Sequence, residues 1–140
     1  MESHAEGFTL VELMIVVVII TLLATIAIPK FATLVRKANE GASKGSLGSI
    51  RGALSIYYSD MEGVYPSDLT SLTIEAKYMQ AIPLSKTPSY HWDSSSVVNG
   101  AVSTDAGGWL YDNIQADAAD GSVWVNCTHT DTKGSVWTSY

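Results

Sequence analysis

The sequence predicts an α+β fold in which a long N-terminal hydrophobic helix packs its C-terminal half on a small antiparallel sheet. Three observations point there. Residues 8–28 form an apolar run in which Glu12 is the only charge. Apolar residues then continue at helical spacing past Pro29, at Phe31, Leu34, Val35, Ala38 and Ala42, and again at Leu47, Ile50, Leu54, Tyr57, Tyr58 and Met61. Beyond Lys30 the composition turns to Ser, Thr, Gly, Asp and Asn, and short β-prone runs such as Val123-Trp124-Val125 appear.

The apolar run comes first. At about 1.5 Å per residue, a helix over it reaches roughly 30 Å, the thickness of a bilayer core. Residues 13–20 are apolar on every face, so beside a buried core helix of a soluble protein stands a helix that first sits in a membrane and later packs against copies of itself. A secretory signal peptide needs a basic start and a small-residue cleavage site after the run. Here no basic residue precedes the run, and it ends in Ile28-Pro29-Lys30-Phe31. A plain membrane anchor fits the length but leaves Glu12 unexplained. An ionised carboxylate in hydrocarbon costs several kcal/mol unless it is paired, so Glu12 needs a partner.

One helix over residues 8–61 follows from the spacing, with an amphipathic second half that carries Lys37, Glu40, Lys44 and Arg51 off its apolar face. Gly41, Gly45, Gly48 and Gly52 form another stripe. Each lowers helix propensity by up to about 1 kcal/mol. The stripe therefore reads as a place of close approach by a sheet or neighbouring helix, as a stretch that melts under tension, or as a weak point in the helix. Gly63 and Pro66 punctuate the helix end. Leu69, Leu72, Ile74 and Met79 suggest a short helix or turn over 68–79, and Pro83 and Pro88 mark a loop. Strands are expected at 97–102, 108–111, 122–127 and 135–139, with Asp120-Gly121 as a hairpin turn.

The chain has 140 residues, enough for one domain plus a membrane element. A formal charge of −6 argues against a dedicated nucleic-acid surface. The single cysteine, Cys127, rules out an intrachain disulfide and reads as a small buried hydrophobe. No Ser-His-Asp arrangement, phosphate loop or paired-cysteine site marks an enzyme. His91, Asp93, His129 and Asp131 have ligand chemistry for zinc or a catalytic cluster, but their spacing matches no known motif. Trp92, Trp109, Trp124 and Trp137 are expected to fill the core, with a ligand-binding or adhesive role for any that are exposed.

The combination Gly7-Phe8-Thr9-Leu10-Val11-Glu12-Leu13, an apolar run and Ile28-Pro29 resembles the signal of type IV pilins and type II secretion pseudopilins. Gly63-Val64-Tyr65-Pro66 and Gly107-Gly108-Trp109-Leu110-Tyr111-Asp112 are similar, less specifically, to the globular domain of that family. The resemblance implies a pilin-like fold with a leader at 1–7, a transmembrane and filament-core helix at 8–29, and a globular head at 30–140 that includes the second half of the helix. It implies that a prepilin peptidase cuts between Gly7 and Phe8 and methylates the new amine of Phe8. Glu12 would then pair with the Phe8 amine of a neighbouring subunit.

The implied partners are the inner membrane, further copies of the chain, the peptidase, an assembly ATPase and a platform protein. The product is a surface pilus or, alternatively, the pseudopilus of a type II secretion system. Some pseudopilins of this kind bind calcium in a C-terminal loop, and Asp112, Asp117, Asp120 and Asp131 are oxygen ligands in the matching region. One feature departs from the family. Met1-Glu2-Ser3-His4-Ala5-Glu6 carries no Lys or Arg, while Lys30, Arg36, Lys37, Lys44 and Arg51 follow the run. Charge bias alone would place the C-terminus in the cytoplasm; the cleavage motif is the more specific signal and is given precedence.

Overall fold

A computed structural model describes residues 7–114 and 120–140. The chain divides into two compact units, Met1–Val35 and Arg36–Tyr140. A single helix, α1 (Leu10–Asp60), runs through the boundary, close to the expected 8–61.

In the first unit α1 starts on a reciprocal cap. Thr9 sits just before the first helical residue, and its hydroxyl oxygen accepts the Glu12 N–H at 3.2 Å. Glu12 Oε2 in return accepts the Thr9 N–H at 2.9 Å and the Thr9 hydroxyl at 2.6 Å. Two otherwise orphaned helix donors are satisfied this way. Farther along, Pro29 lacks the N–H that would bond to residue 25, yet α1 continues through it. Hydroxyls of Thr21, Thr25 and Thr33 fold back onto the carbonyls of Val17, Thr21 and Pro29 at 2.7, 2.8 and 3.0 Å, so these polar groups are satisfied inside the helix. α1 contains an 18-residue window of mean hydropathy 2.8, none of it buried, which is long and apolar enough to cross a membrane.

In the second unit the apolar face of α1 builds the core. Leu47, Ile50, Ala53 and Leu54 pack with Leu69, Leu72, Trp109, Tyr111, Val123, Val125, Cys127 and Trp137. The helix ends where Glu62 and Gly63 take positive φ, 54° and 90°, and the Gly63 N–H returns to Tyr58 O at 2.9 Å, a left-handed cap. A 3-10 helix, Leu69–Ala76, follows, opened by Asp68, whose side chain accepts the Thr70 N–H.

The sheet has three strands in the order β1 (Val97–Asn99), β2 (Trp109–Tyr111), β3 (Val123–Val125). It is mixed, not antiparallel: β1 runs parallel to β2, and only β2 and β3 are antiparallel. The short return between β1 and β2 works because Gly100, Asp105, Gly107 and Gly108 all take positive φ. At Gly108 a Cβ would strike the Ser96 carbonyl oxygen, and at Gly107 it would come within 2.9 Å of His91 Cβ. Only glycine lets these backbones approach.

Other expectations shift as well. Residues 135–139 do not form a strand; Trp137–Ser139 is a 3-10 turn, joined to Thr130 by a single bridge at Val136. Asp120-Gly121 does form a turn leading into β3, which pairs antiparallel with β2; the Asp112 N–H donates to Ser122 O and the Gly121 N–H to Asp112 O, 2.9 Å each. Nothing lies within 4 Å of a Cβ built at Gly41, Gly45, Gly48 or Gly52, so that stripe is not a contact with the sheet, and α1 is unbroken there. Trp109 and Trp137 are core residues, whereas Trp92 is 94% exposed.

Of the polar residues expected off the apolar face of α1, Lys37 is exposed, while Glu40, Lys44 and Arg51 bond to segments from the C-terminal part of the chain. Glu40, 5% exposed, accepts the Thr132 N–H and hydroxyl at 3.0 and 2.6 Å and lies 3.4 Å from Arg36 Nε. Lys44 donates to Asp131 Oδ2 at 2.7 Å and stands 3.7 Å from the centre of the Tyr140 ring. Arg51 donates to the main-chain oxygens of Val123 and Tyr140, 2.7 Å each. These contacts latch the C-terminal segment onto the helix, in a chain whose one cysteine is a free thiol.

Candidate functional site

The first site is the start of α1. Gly7 has no neighbour within 4 Å of where a Cβ would stand, and Phe8 is 77% exposed. Glu12 faces Thr9 with one carboxylate oxygen, Oε2, and the capping box fixes its direction. The signal for this box, Thr-x-x-Glu, is present in the sequence at Thr9 and Glu12, but a lone charge in an apolar run points first to an intermolecular partner. From Leu10 to Leu34 the large apolar side chains of this unit are exposed. A helix surface of this kind is stable only against lipid tails or other apolar helices.

Three of the aspartates expected to hold calcium lie among the described residues. Asp131 is buried and spends its oxygens on Lys44 Nζ and the Tyr140 hydroxyl, and on the N–H groups of Lys133 and Ser135. Burial alone would raise its pKa, but those hydrogen bonds outweigh it and hold the carboxyl well below the usual range. Asp112 is fully buried; Oδ1 accepts the Ile114 N–H at 3.0 Å, while Oδ2 has no partner among the described residues. Asp120 is half-buried. Asp117 lies outside the described residues.

Of the four residues weighed for a zinc or catalytic cluster, the fold brings two together. His91 and His129 stack edge to face, ring centres 5.5 Å apart. Asp93 goes to Lys86 at 3.7 Å and Asp131 to the latch. Their places beside the histidines are taken by Asp105 and Cys127, which the spacing gave no means of finding. Burial pushes the Cys127 thiol up, and the Thr128 N–H donated to Asp105 holds that carboxyl down.

Comparison with known proteins bears on the first site. Residues 3–28 match the family described as the prokaryotic N-terminal methylation motif. The chain is 39% identical over 84 residues to fimbrial protein EcpC of Eikenella corrodens, covering 57% of this chain and 54% of that one. It is 39% identical over 65 residues to the type IV narrow pilus major component PilA5 of Thermus thermophilus, covering 46% and 56%. It is 39% identical over 62 residues to type II secretion system core protein G of Pseudomonas aeruginosa, covering 44% and 43%. The chain spans about half the length of the curated relatives it matches. No solved structure matches it.

Proposed function

We propose that this chain, a member of the type IV pilin and pseudopilin family, is a structural subunit of a type IV pilus-like filament and not an enzyme. The observation that carries the reading is the Gly7-Phe8-Thr9-Leu10-Val11-Glu12 motif at the head of an apolar helix with no cover of its own. In this reading residues 1–7 are a leader, 8–29 first span the inner membrane and later pack in the filament core, and 30–140 form the exposed head. Prepilin peptidase cuts between Gly7 and Phe8 and methylates the Phe8 amine. An assembly ATPase and a platform protein then supply the work of extraction, and the product stands outside the inner membrane.

Glu12 has two tasks in this scheme. Oε2 caps its own helix through Thr9, and the remaining carboxylate charge attracts the Phe8 ammonium of the next subunit. In a low-dielectric core that attraction offsets the cost of burying the carboxylate, and it fixes the axial register of the two helices. Burial of the apolar face relative to lipid gives little further preference, so packing and this pair govern assembly. Calcium belongs to the reading at Asp112, Asp117 and Asp120, since Asp131 is committed to Lys44 and Tyr140. A melt that calcium leaves unmoved removes it from the reading.

A second reading, the major subunit of a type II secretion pseudopilus, is favoured by the similarity to core protein G. Deleting the gene separates the two: a pilin takes surface filaments with it, a pseudopilin takes secreted proteins. Processing is tested by mass spectrometry of the membrane-extracted protein. The expected N-terminus is a methylated Phe8; a mature chain that retains Gly7 overturns the assignment.

A further inference from the structure

We propose that His91, Asp105, Cys127 and His129 form a structural zinc site that staples the second unit. One ligand atom from each of the four lies within 4.8 Å of every other. His91 Nε2 and His129 Nδ1 stand 3.3 and 3.4 Å from Asp105 Oδ1, and Cys127 Sγ stands 3.6 Å from His129 Nδ1. Zinc–nitrogen and zinc–oxygen bonds of about 2.0–2.1 Å and a zinc–sulfur bond of about 2.3 Å give tetrahedral edges of about 3.3 Å for N···O and about 3.5 Å for S···N. The three short separations therefore already have the spacing of a tetrahedral zinc shell.

A second observation points to a ligand. His91 Nε2 is buried and has no hydrogen-bond partner among the described residues; at 3.3 Å from Asp105 its alignment does not make a hydrogen bond. A buried ring nitrogen left without a partner is costly, and a metal ion at the centre of the four would satisfy it. Cys127 is fully buried, so the sulfur too is directed inward. The donor set selects the ion. One oxygen, two imidazole nitrogens and one sulfur suit zinc, whereas calcium and magnesium take oxygen shells. Four protein ligands leave no open position, which makes the site structural and not catalytic.

The surroundings are built to hold these groups. The four residues come from three segments: the turn at 87–91, the loop at 104–108 and the chain leaving β3. Gly107 N–H donates to Asn126 O at 2.9 Å and Asn126 N–H to Gly108 O at 3.0 Å. The Asn126 side chain holds Ser103 and Thr104 at 2.8 and 2.9 Å. The Thr128 N–H fixes Asp105 at 2.8 Å, and Tyr90 stacks on the His129 ring at 4.1 Å. A zinc ion there would join the three segments in the way a disulfide joins two, in a chain with a single cysteine. The inference does not depend on whether the chain polymerises.

The test uses the full-length chain in detergent. After chelation, Co²⁺ and then Zn²⁺ are titrated in, and bound metal is counted by elemental analysis. One ion per chain is expected, with tetrahedral d–d bands and a thiolate-to-cobalt charge-transfer band that zinc abolishes, and a Tm that rises with zinc and falls with chelator. His129→Ala removes a half-exposed ligand and so leaves the core intact; it is expected to weaken zinc binding by roughly a hundredfold or more. Cys127→Ser is expected to remove the charge-transfer band, and Asp93→Asn to change neither. Substoichiometric binding, a cobalt spectrum without the thiolate band, or zinc affinity unchanged in His129→Ala would overturn the proposal.

Discussion

The cap that Glu12 makes with Thr9 and its proposed pairing with a neighbouring subunit can be separated by substitution. Glutamine at this position keeps a carbonyl oxygen that accepts from Thr9, but it cannot attract an ammonium. Thr9→Ala does the reverse: it keeps the charge and loses the cap, at a cost of about 1 kcal/mol in the first turn. If register and assembly come from the ion pair, Glu12→Gln yields membrane-inserted, processed subunits and no filaments, while Thr9→Ala still assembles at reduced yield. Sheared-filament yield, measured against total subunit, reads this directly. Equal losses in the two variants would mean that the cap alone is what assembly needs, and the intermolecular pair would fall. The single-residue readings differ in how far sequence could carry them. Glu12 stood out because a lone charge in an apolar run is conspicuous, and its partner Thr9 lay three residues away in plain view. Asp105 and Cys127 were invisible as a pair with His91 and His129, because their meeting depends on a loop whose path is set by positive-φ residues.

Along the elements, the apolar face of α1 was legible and its polar face was not. Helical spacing of Leu47, Ile50 and Leu54 announces burial. A Lys or Glu off that face looks the same whether it meets water or, as Glu40, Lys44 and Arg51 do, the returning C-terminal segment. Three of the four expected strand positions were also legible within a few residues, but the parallel direction of β1 was not, since it follows from the return at 100–108 and not from the strands. The latch has a pH signature. The Asp131 carboxyl is held well below its ordinary value by Lys44, Tyr140 and two backbone N–H groups, against a burial effect in the opposite direction. A native pKa below the unfolded value of about 3.9 stabilises the fold above that value and is lost as pH falls through the native one. Stability should thus be level near neutrality and decline from about pH 5 downward. Asp131→Asn should cost about 2–3 kcal/mol at neutral pH, since it leaves a partly buried Lys44 unpaired, and should make the acid decline shallower. Denaturant melts from neutral to strongly acidic pH check both, and an unchanged acid slope would assign the decline to other carboxylates.

At the scale of the whole molecule the two units solve different problems. Every residue of the core cluster lies after Arg36, and the latch that closes it uses only residues of the same unit. The unit ending at Val35 is the opposite case: its large apolar side chains are uncovered, and each one left in water forgoes about 1.5–3 kcal/mol of burial. A chain that begins at Arg36 is therefore expected to be a soluble monomer with a cooperative melt, because nothing that closes its core has been removed. The full chain should need detergent, lipid or further copies of itself. Size-exclusion chromatography with light scattering and a thermal melt compare the two forms, and the midpoints should agree to within a few degrees. A truncated chain that aggregates, or melts without cooperativity, would show that the first half of α1 is needed to complete the second unit. The apolar helix would then be part of a folding core, and the case for its being held in reserve for a membrane and then for a filament would be lost.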